Sequence, residues 1–141
     1  AFISFSGKDD RDTFVSHLLK ELEEKPGIKL FIDDRDELPG ESILENLFEA
    51  IEKSRRAIVI LSSNYASSSW CLDELVEAVK LALEQGNKKV ILPIFYKVDP
   101  SDVRKQSGKF GKAFLKTLKW FGDKTSQRIR FWKKALYAMP V

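Results

Sequence analysis

The chain has 141 residues, 43% hydrophobic and 32% charged, with 24 basic against 21 acidic side chains and a formal net charge of +3. That length and balance fit one globular domain with its own core, and the charge is too balanced to imply nucleic-acid binding by itself. A single cysteine, Cys71, and a single histidine, His17, exclude an intrachain disulfide and a multi-histidine zinc site, and a lone thiol suits a reducing compartment.

Strand and helix patterns alternate along the chain. Residues 1–5 read as a strand closed by Ser6-Gly7; the chain opens inside this run and is expected to be a fragment. Residues 12–24 read as an amphipathic helix with Phe14, Val15, Leu18, Leu19 and Leu22 on one face, ended by Lys25-Pro26-Gly27. A second strand is expected over 28–32, a charged loop over 33–40 and a helix over 41–53. Residues 57–61 form a continuous apolar run, as in a strand buried on both faces. A small polar segment, 62–69, leads into a helix over about 70–83.

Residues 90–96 read as a fourth strand, and Asp99-Pro100-Ser101 opens an irregular stretch in which Pro100 suits a helix start. Helices follow over about 110–118 and 126–137. Lys116, Lys119, Lys124, Arg128, Arg130, Lys133 and Lys134 give this last quarter a basic surface, read as a solvated helix face. No apolar run approaches membrane-spanning length, and no signal peptide is visible. Strands separated by helices imply a parallel sheet with right-handed crossovers and sites at the carboxyl ends of the strands.

Several catalytic signatures are missing. Gly108-Lys109-Phe110-Gly111-Lys112 is too short for a phosphate-binding loop and has Ala113 where a hydroxyl is needed. No G-x-G-x-x-G follows the first strand, and there is no G-x-S-x-G elbow. His17 sits on the polar face of its helix, away from any triad. A phospho-acceptor arrangement fails because the third strand ends in Leu61-Ser62-Ser63 rather than an aspartate.

The most informative stretch is Ser67-Ser68-Ser69-Trp70-Cys71-Leu72-Asp73-Glu74-Leu75. Leu72, Leu75, Val76 and Val79 form its apolar stripe. At 100° per residue Glu74 is expected roughly opposite that stripe, with Trp70 one turn before it on the same side. An indole beside a carboxylate near a strand's carboxyl end is a candidate pocket. Packing of Trp70 beside a solvated Glu74 is the competing account. The pocket account requires Glu74 to face a cleft.

Four blocks resemble plant TIR domains in order and spacing. They are Ile3-Ser4-Phe5-Ser6-Gly7-Lys8-Asp9-Asp10-Arg11; Phe31-Ile32-Asp33-Asp34 with Leu38-Pro39-Gly40-Glu41; the segment from Ser63 through Trp70-Cys71 to Glu74-Leu75; and Pro93-Ile94-Phe95-Tyr96 through Asp99-Pro100-Ser101 to Ser107-Gly108. The resemblance implies a single flavodoxin-like α/β domain, three layers around a five-stranded parallel sheet, the fifth strand short and near residues 119–123.

It also implies NAD+ as substrate, with no cofactor or metal, cleaved to nicotinamide and ADP-ribose or cyclised variants. Glu74 matches the family's essential glutamate, and Gly7, Arg11, Ser68 and Trp70 match positions around the ligand. Cys71 matches the cysteine implicated in secondary nucleotide chemistry on nucleic acid. Asp36, Leu38, Pro39, Gly40 and Glu41 resemble the loop that gates the pocket. Ser16 and His17 match a self-association face, and Gly108, Lys109, Gly111 and Lys112 lead into a second one.

Most plant members carry S-F-R-G where this chain has S-F-S-G, so Ser6 removes a charge from the expected phosphate site and implies weaker turnover. Three readings follow: an assembly-activated NAD+-consuming domain of plant innate immunity in the cytoplasm or nucleus; a homotypic TIR adaptor without catalysis; and nucleic-acid binding through the basic last quarter, with no membrane contact in any of them.

Overall fold

A computed structural model describes residues 2–11, 13–26, 29–30, 56–85, 90–121 and 126–139. Within them four parallel strands form one sheet in the order β2-β1-β3-β4: β1 is Phe2–Ser4, β2 Lys29–Leu30, β3 Arg56–Leu61 and β4 Val90–Phe95. The register pairs Phe2 with Lys29 on one side and with Ala57 on the other, and Leu61 with Phe95. A 3-10 turn, Gly7–Arg11, follows β1 and leads to α1, Thr13–Glu23. After β3 come α2 (Ser63–Ala66) and α3 (Ser69–Gln85); after β4 come α4 (Pro100–Lys105), α5 (Gly108–Phe121) and α6 (Gln127–Tyr137).

Alternation along the strands divides the core between the two faces of the sheet. Val59 and Leu61 face a cluster built from α2, α3, α5 and α6, with Leu72, Leu75, Phe110, Phe114 and Trp132 at its centre. Phe2 and Ala57 pack with Ala78 and Leu81 of α3. Ile3, Phe5 and Ile60 face the opposite way, onto Val15 and Leu19 of α1. The apolar run at 57–61 is therefore a strand covered on both sides, as expected.

Local signals set the helix ends. Ser126 accepts from the Ile129 N–H at 3.3 Å and starts α6. Asp99 accepts from the Ser101 N–H at 2.8 Å, and Pro100 opens α4.

Two expectations are corrected. Residues 119–121 belong to α5, not to a fifth strand: Phe121 follows Phe110, Phe114 and Leu118 at helical spacing and, though 39% exposed, meets Trp132 edge-on at 5.4 Å. Phe14 is 56% exposed rather than inward, its ring stacked flat on Tyr96 at 5.4 Å. The charged loop at 33–40 and the helix at 41–53 lie outside the described residues. No helix among the described residues is long and apolar enough to cross a membrane.

Candidate functional site

The carboxyl end of β1 meets the start of α3 through a row of polar atoms. Ser4 Oγ donates to Glu74 Oε2 at 2.6 Å and lies 2.8 Å from the Tyr65 hydroxyl, which donates to the Cys71 carbonyl at 2.8 Å. Ser4 is 1% exposed, Glu74 2% and Tyr65 0%. A buried carboxylate is costly unless hydrogen-bonded, and an O–H donor at this length is among the stronger partners available.

The expectation that Glu74 points off the core face is therefore wrong. A helical wheel counts one buried stripe, but α3 is covered on two sides: by the sheet, and by α2 and α6. Cys71, Leu72, Glu74, Leu75, Ala78 and Leu81 are all buried, a much wider arc than the stripe read from the sequence. Val76 and Val79, expected in that stripe with Leu72 and Leu75, are only partly buried. Glu74 thus does not face the open cleft that the catalytic account asks for.

The other expected ligand residues surround this row unevenly. Ser68 is the N-terminal cap of α3, its Oγ accepting the Cys71 N–H at 3.2 Å, and is 8% exposed. Trp70 is half-buried in the first turn of the same helix, and Gly7 and Arg11 bound the 3-10 turn after β1. The Cys71 side chain is buried within the large apolar cluster and presents no thiol to a ligand. The gating residues Asp36, Leu38, Pro39, Gly40 and Glu41 lie outside the described residues.

Ser6 is 3% exposed, and its Oγ accepts the Lys8 N–H at 3.3 Å. The adjoining turn carries a second polar cluster that sequence reasoning passed over. Asp9, 4% exposed, receives Ser62 Oγ on Oδ2 at 2.5 Å and Asn64 Nδ2 on Oδ1 at 2.7 Å. Ser62 at the same time caps α2, accepting from the Tyr65 N–H at 3.1 Å. A signal for the first row did exist. Ser4 is a polar residue in an apolar strand, on the same face as Phe2 and hence toward α3.

The expected self-association residues are mostly at the surface. His17 is exposed and Ser16 half-buried on α1, off the apolar stripe; Lys109 and Lys112 are exposed on α5. Gly108 and Gly111 also have a local reason to be glycine. Gly108 has φ +61°, and a Cβ there would lie 2.3 Å from Asp102 Oδ2; at Gly111 it would lie 2.3 Å from the Gln106 carbonyl oxygen. The α4–α5 junction closes only without side chains at those two points.

Comparison with known proteins supports the resemblance. The family model described as "TIR domain" matches residues 1–140. The chain is similar to the disease resistance-like protein DSC2 of Arabidopsis thaliana, 53% identical over 135 residues, which are 96% of this chain and 11% of that protein. It is also similar to the disease resistance protein RPS6 of Arabidopsis thaliana, 48% identical over 136 residues, 96% of this chain and 11% of that protein. The chain thus spans about a tenth of the length of these relatives. Among solved structures it resembles the TIR domains of the activated Roq1 resistosome bound to the pathogen effector XopQ, with TM-score 0.75 and 43% identity, covering 96% of this chain and 80% of that one.

Proposed function

The chain belongs to the TIR-domain family, and from that premise we propose that it is a self-associating signalling domain of plant immunity whose Glu74 cleaves NAD+ only after assembly. What supports this reading is the family match over residues 1–140, which takes in the Trp70-Cys71-Leu72-Asp73-Glu74 segment, while the burial of Glu74 against Ser4, 2% exposed in a single copy, restricts cleavage to an assembled state. A side chain shut off in this way cannot reach a ribose until the surrounding elements shift. Contact between copies is the natural source of such a shift, since the similar Roq1 TIR domains occur in an activated resistosome. The domain then acts in the cytoplasm or nucleus, with other TIR domains as partners.

The chemistry asks little of the protein. Nicotinamide joined to ribose carries a positive ring nitrogen. When the N-glycosidic bond breaks, its electron pair returns to that nitrogen and nicotinamide leaves neutral, with no general acid. The cost lies in the oxocarbenium-like ribose, which a carboxylate beside C1′ stabilises. Water then adds at C1′ and loses a proton to give ADP-ribose, or a nucleophile of the same ligand adds to give a cyclised product. Trp70 in the first turn of α3 supplies a ring for stacking. Gly7, Arg11 and Ser68 complete the proposed contacts, residues 36–41 the gate, and Ser16, His17 and the start of α5 the contact faces.

The adaptor reading has its own support: the sealed Glu74 and the uncharged Ser6 both suit a fold that signals by contact alone. Incubating the chain with NAD+ over a range of protein concentrations separates the two. Nicotinamide release is expected to rise more steeply than linearly with protein concentration and to vanish in Glu74→Ala. Release that survives Glu74→Ala overturns the site. No release at any concentration, in the domain or in the full-length protein, leaves the adaptor.

A further inference from the structure

The outward face of α5 carries a cost that the fold does not explain. Lys112, Leu115, Lys116, Lys119 and Trp120 follow one another at helical spacing and share that face, and all five are exposed. The opposite face sinks Phe110, Phe114 and Leu118 into the core. Lys116 lies four residues from Lys112 and three from Lys119, the separations at which like charges weaken a helix. α5 has no acidic residue to offset them, and neither does α6, which meets its last turn. Among the described residues none of these three lysines has an ion-pair partner.

Trp120 adds an independent sign. It is 86% exposed, whereas tryptophan is a highly buried residue on average. Among the described residues it makes no ring contact, unlike its neighbour Phe121, which meets Trp132. Leu115, on the same face, is 43% exposed. An open indole and an open leucine within a ring of charge have the composition of an interface anchor and its polar rim rather than of a solvated helix face.

We propose that this face of α5 docks an acidic amphipathic helix of another protein, whose carboxylates meet Lys112, Lys116 and Lys119 and whose apolar side chains cover Leu115 and Trp120. Charge complementarity names the partner, since an anionic surface relieves the three clustered cations. Spacing names its form. Carboxylates at three- and four-residue steps on a facing helix repeat at the interval of the lysines, over the roughly 12 Å from Lys112 to Trp120.

Other occupants fit less well. The major groove of double-stranded DNA takes in a whole helix, and α5 is sunk into the core along its length. Single-stranded nucleic acid runs through a groove over successive open rings, and this convex face offers one. A membrane asks for a broad apolar face, and here two apolar side chains stand among lysines. A second copy laid stripe on stripe would set lysine against lysine. Lys116, Lys119 and Trp120 belong neither to the Glu74 site nor to the contact faces proposed above, so this surface is independent of both.

Fluorescence anisotropy tests the proposal, with a labelled synthetic peptide helix that repeats Glu and Leu at the same spacing. Saturable binding is expected at about 0.15 M salt, weakened about tenfold or more in Lys116→Ala/Lys119→Ala and in Trp120→Ala. The peptide with Gln in place of Glu is expected to lose about as much. Lys133→Ala/Lys134→Ala, which removes two exposed lysines of α6, is expected to bind as the native chain does. Glu74→Ala is also expected to bind normally, so failure of NAD+ cleavage and failure of this face give different results. Absence of saturable binding overturns the proposal, as does equal weakening by the α6 pair or equal binding of the Gln peptide. So does tighter binding of a short single-stranded RNA, or of phosphatidylserine vesicles, that is lost in the same α5 variants. Loss of self-association in sedimentation of Lys116→Ala/Lys119→Ala would assign the face to a second copy and overturns it too.

Discussion

Asp73 and Arg128 clasp α3 to α6 through two parallel bonds, Nε to Oδ1 at 3.0 Å and Nη2 to Oδ2 at 2.6 Å. The indole N–H of Trp132, a fully buried residue, donates to the same Oδ1 at 2.8 Å. The Arg128 guanidinium also lies over the rings of Phe121 and Trp132, 4.9 and 5.1 Å from their centres. Asp73 thus serves a buried donor and a surface cation at once.

The two partners are therefore unequal. Asp73→Ala strands the Trp132 N–H and is expected to cost about 1–3 kcal/mol. Arg128→Ala removes a half-exposed pair and ring contacts, about 0.5–1 kcal/mol. Urea unfolding of both variants checks the order, and a larger loss for Arg128→Ala refutes it.

For the Ser4–Glu74 pair, stability and chemistry are expected to separate. Ser4→Ala removes a donor from a buried carboxylate and should lower stability by about 1–3 kcal/mol. Glu74→Gln keeps an oxygen to accept from Ser4 and should change stability by under about 1 kcal/mol. It removes the negative charge, so it should release no nicotinamide even in concentrated protein. Thermal unfolding beside a nicotinamide assay reads both.

At the α4–α5 junction, Gly111→Ala drives a methyl into the Gln106 carbonyl, a backbone atom, and Gly108→Ala combines a clash with Asp102 and a positive φ. Each is expected to destabilise by about 2–4 kcal/mol, with Gly111→Ala at the upper end because backbone must move. Lys109→Ala/Lys112→Ala and Ser16→Ala/His17→Ala, at the surface, should leave the melting temperature unchanged while weakening self-association in sedimentation. This contrast separates loss of an interface from loss of the fold.

The cap of α4 gives a pH signature. Hydrogen bonding from the Ser101 N–H and side chain holds the Asp99 carboxyl below its ordinary 3.8, opposed by desolvation and aided to a lesser extent by the Asp102 N–H and Lys105. A lowered folded-state pKa means the cap's contribution is fully present above the unfolded value and is lost as pH falls through the folded one. The difference in melting temperature between the native chain and Asp99→Ala should therefore be largest near neutral pH and shrink below about pH 4. A difference that grows on acidification would refute the assignment.

Where one residue type dominates its surroundings, the sequence was easy to read. The unbroken apolar run at 57–61 permits only a strand with both faces covered, and Ser126 and the Asp99-Pro100 pair announce helix starts by the atoms they offer a free backbone N–H. Glu74 was misread because periodicity describes one helix against one partner, whereas three neighbours enclose α3. The fifth strand was misplaced because Phe121 carries no local sign of whether it ends a helix or begins a strand; Trp132, eleven residues on, decides it. Ser4, Asp9 and Tyr65 escaped notice because their partners lie 53 to 70 residues away in the chain.

Tyr65 touches the Ser4 hydroxyl and the Cys71 carbonyl with one phenolic oxygen, so a strand end and a helix start share a single pin. Polar contacts this short are sensitive to a few tenths of an ångström of displacement. Small displacements of α3 against β1 are resisted, and a large one frees both anchors together. The domain would then answer crowding by its neighbours with a threshold rather than a slope, staying silent until enough copies pull at once.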